Sequence, residues 1–402
     1  MGRGAIVAVP DLRQVLGYRR AVQLPGRVWR RLAIGVVTFG LVAGGTVAVE
    51  EPAVAKKKRP VQIAQAAFDR MTLSERVGQL LIAGLPVDKV QPQLKYLKQA
   101  PIGNVFLFHT STAGVTAVSQ LTTGLAAQTT HKRVHPYIGI DQEGGSVQHL
   151  KGKGFSTIPS ALDQGTQRPK SLRAHAKMWG TQLAHAGINV DFAPVADTVP
   201  KKVGEKNDPI GQWHREFGYT PDVVAPHVAA VVRGFKAAGI TATVKHFPGI
   251  GRATGNTDTA KNVTDPTHWN DPYLAPFKAG IKAGARFVMI SSARYPRIDK
   301  HHPACFSGRV IGTMLRKNLG FTGIVVSDTL SAVAVSRWSV GHRATRFLQM
   351  GGTMLLDSHA RDLVTMERAI LKKMAGSKRF AAKVKAAVML VLTEKAKAGL
   401  IS

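Results

Sequence analysis

Eight short apolar runs recur along the chain, and each closes on polar or glycine residues. They are Val77–Gly84, Ile102–Phe108, Tyr137–Gly144, Ile188–Asp197, Ala242–Gly249, Phe287–Ser292, Gly323–Asp328 and Gly352–Asp357. Runs of this length, apolar throughout, are the pattern of strands buried on both faces. Amphipathic stretches lie between most of them, at Ser171–Ala186, Pro221–Ala238, Pro276–Ala285, Arg309–Leu319 and Ala334–Met350. Glycines such as Gly187, Gly239, Gly320 and Gly351 follow several of these stretches, where a helix ends most easily. The alternation predicts an α/β fold, a (β/α)8 barrel of the TIM type; a doubly wound sheet is the alternative. The tail, Ala360–Ser402, is helical in pattern.

In a barrel the chemistry gathers where strands end. The third run ends Asp141-Gln142-Glu143-Gly144, the fourth at Asp197, the fifth at Lys245-His246, and the seventh at Asp328. One such Asp is as readily a helix cap as a functional group. Four ends with different ionisable groups favour a shared rim.

The leader reads differently. Residues 1–31 hold seven arginines and one acid, and an uncharged run of 18 residues follows from Leu32 to Val49. A basic flank, an apolar run and Ala53-Val54-Ala55 have the form of a secretory signal. An uncleaved anchor is the rival. Residues 1–60 are therefore expected to be a signal or anchor with a basic linker, and 61–402 a single barrel domain with a helical tail. Export to the cell envelope or beyond is expected either way. The net charge is +31; beyond residue 60, 44 Lys and Arg against 21 Asp and Glu still leave +23. Such a field favours an anionic wall or membrane surface, and no nucleic-acid motif accompanies it. A lone cysteine, Cys305, excludes an internal disulfide.

No Walker loop, G-x-S-x-G elbow or HExxH occurs. Carboxylates, a Lys-His pair and Arg215 suit a neutral polyol, since acids accept from hydroxyls while Lys, His and Arg donate to them. Glycoside cleavage needs a carboxylate to meet the anomeric centre and a proton donor for the leaving oxygen. Spacing alone leaves the first role open among Asp328, Asp141 and Asp197.

Five motifs occur in order: MTLSERVGQL from Met71, IDQEGGSVQHL from Ile140, NVDFAPVAD from Asn189, KHFPGIGRATGNTD from Lys245 and GFTGIVVSDTL from Gly320. Together they resemble the family 3 glycoside hydrolases, especially the single-domain bacterial β-N-acetylhexosaminidases, over about residues 65–375. The resemblance implies retaining, two-step hydrolysis in a (β/α)8 barrel without metal or other cofactor. It makes Asp328 the nucleophile. Asp141, Arg215, Lys245 and His246 then hold the sugar.

Departures from the family pattern matter. Its loop ends in an Asp–His pair that serves as acid/base; here those positions are Asn256 and Asp258. Asp258 is expected to substitute, with Lys245 and Arg252 lowering its pKa against any burial. Ser146 and His149 replace two arginines of the sugar-binding motif, so His149 is a substrate-binding candidate, and Thr353 stands where the eighth strand has an acid. The expected function is an exported exo-glycosidase releasing β-linked N-acetylglucosamine or a related sugar, of cell-wall origin. A weakly catalytic carbohydrate-binding protein and a β-glycoside phosphorylase are the alternatives. The sequence leaves sugar, linkage and oligomeric state open.

Overall fold

The computed structural model describes residues 59–402, so the expected signal or anchor lies outside the described residues save its last two positions. No described helix is long and apolar enough to cross a membrane. Eight parallel strands form one sheet: β1 Leu81–Pro86, β2 Asn104–Phe108, β3 Tyr137–Ile140, β4 Val190–Asp191, β5 Thr241–Phe247, β6 Phe287–Ile290, β7 Ile324–Ser327 and β8 Leu355–Asp357. Their spatial order follows the chain from β7 down to β1, and β1 pairs with β8. A bridge between Val326 and Met354 brings β7 back to β8. Every strand thus lies beside its sequence neighbours around a nearly closed ring. A doubly wound sheet would reverse its order partway. The arrangement is an α/β barrel consistent with the TIM type.

Side chains such as Leu81, Val105, Ile140, Val244, Val288, Val325 and Leu355 are buried, as strands covered on both faces require. Helices return each strand to the next, among them Pro169–His185, Pro221–Ala237 and Ala275–Ala283. The last helix, Lys378–Lys397, packs against the first, Pro60–Arg70. Near its end, Lys395 Nζ is buried and donates to Gln79 Oε1 at 2.7 Å and to the Gly103 carbonyl at 3.2 Å.

Several boundaries differ from expectation. Val77 and Gly78 belong to a helix, Leu73–Gly78, that Thr72 caps by accepting from the Glu75 amide. The third strand stops at Ile140, because Gln142–Gly144 turns aside to pair antiparallel with Val147–Gln148. The long Ile188–Asp197 run supplies only the two residues of β4. Arg309–Asn318 winds as a π-helix. Ala334–Met350 is not one helix. A short 3-10 turn at Val333–Val335 precedes a helix that starts at Val340 behind its Ser339 cap. Arg343 holds this break open by donating to the carbonyls of Leu330, Ser336 and Trp338.

Candidate active site

The strand ends surround a cavity of about 290 Å³ lined by Asp141, His149, Arg215, Lys245, His246, Asp258 and Asp328. All seven sequence candidates therefore meet in one place. Phe106, Phe108, Met289 and Leu356 add apolar wall, and Thr329 and Ser358 add hydroxyls.

One side of the cavity is a buried ion network. Lys245 comes from β5, and its ammonium lies 2.6 Å from Asp141 Oδ1 and 2.5 Å from Glu143 Oε1. Arg215 binds Glu143 through two parallel bonds of 2.8 Å, and a third bond of 2.7 Å fixes it to the Pro209 carbonyl. Burial by itself would raise the Glu143 pKa, but the charges and hydrogen bonds of Arg215 and Lys245 hold it far below the usual carboxylate range. Burial opposes the charge on Lys245, while Asp141 and Glu143 restore it and raise its pKa. The network keeps two cations charged in a buried site and leaves half-buried Asp141 free on its outer side to accept from hydroxyls. Glu143 was not singled out from the sequence. Its only signal was its place two residues after Asp141 in a strand-end run. Below it, buried Asp191 accepts from the Gln142 amide at 3.0 Å, and burial raises its pKa well above the usual value.

His246 also lines the cavity, but Asp197 orients it. Asp197 Oδ2 lies 2.7 Å from His246 Nδ1 and accepts from the His246 amide at 3.1 Å, while Oδ1 accepts from the Ile250 amide at 2.9 Å. Asp197 is fully buried, so it is a support for the imidazole and is removed from the candidates for attack on a sugar. His149 directly follows the hairpin strand Val147–Gln148, with its Nδ1 buried and unpartnered. Burial lowers its pKa, which favours the neutral imidazole.

Asp328 follows β7 directly. Its backbone amide donates to the Ile290 carbonyl at 3.1 Å, and its Oδ1 accepts from the Thr329 amide at 2.8 Å. Asp258 reaches the same cavity from the loop after β5. Its amide donates to Asn256 Oδ1 at 3.0 Å, a turn bond that gives Asn256 a shaping role. The Ala334 amide donates to the Thr257 carbonyl at 3.0 Å and ties the loop to the segment after β7. The residue Asp258 is exposed at this rim. Crowding by surrounding protein and then the charge of Asp328 push its carboxyl up to about 6, and its exposure to solvent screens both effects. His246 and Arg215 pull the other way. The expected influence of Arg252 is absent because its guanidinium is held away from the cavity by buried partners, Asp271 Oδ2 at 2.6 Å and Thr267 Oγ1 at 2.9 Å.

Other residues of chemical interest lie away from the cavity. Trp213, two residues before Arg215, is exposed and does not line it. Thr353 is buried and accepts from the Val325 amide and Arg316. Cys305 is buried, and burial pushes its thiol up to about 12. Among the described residues, Asp357, His359 and Asp362 form the one grouping with metal-ligand spacing, and none of the three lines the cavity.

A parallel barrel with acids, a lysine, an arginine and a supported histidine converging at one rim defines an enzyme-like pocket for a polyol. The sequence model described as the glycosyl hydrolase family 3 N terminal domain matches residues 72–393. A beta-hexosaminidase of Stenotrophomonas maltophilia is 34% identical over 290 residues, 70% of this chain and 83% of its own. One from Xanthomonas axonopodis pv. citri is 32% identical over 298 residues, covering 70% of this chain and 84% of its own. A crystal structure of a β-N-acetylhexosaminidase from Beutenbergia cavernae superposes with a TM-score of 0.79 at 41% identity, over 81% of this chain and 98% of that one. The chain belongs to glycosyl hydrolase family 3 and is a glycoside hydrolase.

Proposed function

We propose that the protein is a retaining exo-glycosidase that releases terminal β-linked N-acetylglucosamine. The observation that carries this reading is one cavity holding Asp328, Asp258 and the Asp141–Lys245–Glu143–Arg215 network. Asp141, Lys245, Arg215 and His246 hold the hydroxyls of the terminal sugar, and His149 faces it from the hairpin. Asp328 attacks the anomeric carbon. Asp258, protonated, gives its proton to the leaving oxygen, and a glycosyl ester forms on Asp328. Asp258, now a carboxylate, takes a proton from water, which attacks the anomeric carbon and frees Asp328. The names of the relatives support the sugar.

Water is the acceptor in this reading. When the acceptor enters, Asp328 is esterified and Asp258 is the carboxylate that faces the incoming group, which disfavours a phosphate dianion. Export to the cell envelope, with wall-derived glycans as substrates, is part of the proposal; the signal-like leader and the basic charge support it.

The test is a panel of p-nitrophenyl β-glycosides, followed by chitobiose, with the parent, Asp328→Asn and Asp258→Ala. Turnover of the N-acetylglucosaminide should vanish in the first variant. In the second, chitobiose should suffer far more than the aryl glycoside, whose leaving group needs little protonation. A folded parent that turns over none of these substrates yet binds sugar makes it a carbohydrate-binding protein. A rate increase with phosphate, with sugar 1-phosphate as product, makes it a phosphorylase.

A further inference from the structure

The helix after β8, Ala360–Gly376, starts at the cavity: Ser358 lines the pocket and Arg361 is exposed just beyond it. Arg368 and Lys372 are exposed on the same helix, at positions that bring them onto one face with Arg361. Arg361 and Arg368 are separated by roughly 10 Å of helix, about the length of one disaccharide. Lys378, Arg379 and Lys383 are also exposed, on the following helix.

Among the described residues, the carboxylates of these two helices meet these cations only at Arg361. Glu367 is buried and accepts from Ser74 Oγ. Glu394 is buried and held by Arg286 and Lys397. Half-buried Asp362 lies 3.6 Å from Arg361 and 4.0 Å from His359. Arg368, Lys372, Lys378 and Arg379 make no ion pair among the described residues. Neither helix exposes a large apolar side chain of the kind that seats a protein in a bilayer.

We infer that this stripe holds an anionic glycan chain whose non-reducing end occupies the cavity. The inference rests on the glycosidase reading for that terminal sugar and adds the substrate class: a carboxylate-bearing glycan in preference to a neutral one. The pocket takes the end of the chain. The sugars behind it run down the barrel wall, where Arg361, Arg368 and Lys372 meet their carboxylates. The outer helix Pro169–His185 is also basic, with Lys170, Arg173 and Lys177 exposed. None of that helix's residues lines the cavity, which makes it a control for charge alone.

The experiment uses the full chain carrying Asp328→Asn, so that bound fragments persist. Two fluorescent oligosaccharides labelled at the reducing end serve as probes: a hyaluronan fragment ending in β-N-acetylglucosamine, and chitotetraose. At low salt the hyaluronan fragment should bind about tenfold more tightly, and added salt should erase the difference. Changing Arg361→Gln, Arg368→Glu and Lys372→Glu together should bring the two affinities together. The matching changes Lys170→Gln, Arg173→Glu and Lys177→Glu should preserve the preference.

Equal affinities in the starting protein, or equal losses in both triple variants, would overturn the inference. So would a stripe variant that loses binding to phosphatidylglycerol vesicles with glycan binding intact. Aryl-glycoside turnover, with Asp328 restored, should be the same in both triple variants. That turnover tests the glycosidase reading separately: its absence in the parent removes catalysis, while probe binding still decides the stripe.

Discussion

Glu143 touches no expected sugar atom in the scheme above, yet it fixes two residues that do. Replacing it by Gln leaves Arg215 and Lys245 buried with one carboxylate fewer between them. Loss of a partner from a buried ion cluster costs about 3–5 kcal/mol, so Glu143→Gln should lower the denaturation midpoint clearly. It should also raise KM more than it lowers kcat, because the sugar-holding cations lose their alignment while Asp328 keeps its amide bond. An unchanged KM would mean that Asp141 suffices to place Lys245. Asp258 carries a prediction about pH. As proton donor it must be protonated, and its carboxyl is pushed up to about 6 by crowding and by Asp328. On chitobiose, kcat/KM should therefore fall as pH rises through about 6, and Asp258→Asn should remove that limb along with most of the activity. These residues differed in how readable they were. Asp328, Asp141, Lys245 and His246 were legible because each sits in a motif at a strand end, and Arg215 through the family resemblance. Glu143 and Asp197 support them from below, and support of this kind has no spacing of its own in a sequence.

At the scale of elements, strands and tail were legible because burial on both faces leaves uninterrupted apolar runs. Their ends were less so. The third strand stops at Ile140 because a hairpin diverts the chain. The helix expected from Ala334 starts at Val340 because Arg343 claims three carbonyls of the loop before it. Neither partner choice is visible to a local pattern. The last helix offers a test of packing chemistry. Burial drives the Lys395 pKa well below that of a free lysine, so the folded state prefers the neutral amine while the unfolded chain binds a proton up to about pH 10.4. The unfolded state thus holds more protons, and this group adds stability as pH rises toward that value. The denaturation midpoint of the parent should gain on that of Lys395→Met between pH 7 and 9.5. Parallel curves would mean that Lys395 keeps its proton in the fold.

For the whole molecule, the described residues 59–402 form one compact unit, and the family match falls inside it. Deleting residues 1–56 should leave the melting temperature unchanged and kcat/KM on an aryl glycoside within about twofold. A larger loss would assign the leader a part in the folded body. The sequence by itself determined the alternation of strands and helices, the family, and the groups that end the strands, because burial and catalysis each demand residue types at regular places along a chain. It also carried the excess of positive charge. Only the tertiary structure decided which cation meets which carboxylate. It took Arg252 away from Asp258, gave Asp197 to His246, and put Glu143 between Arg215 and Lys245. Those outcomes depend on distances between residues far apart in the chain, and electrostatic and hydrogen-bond energies change steeply over such distances.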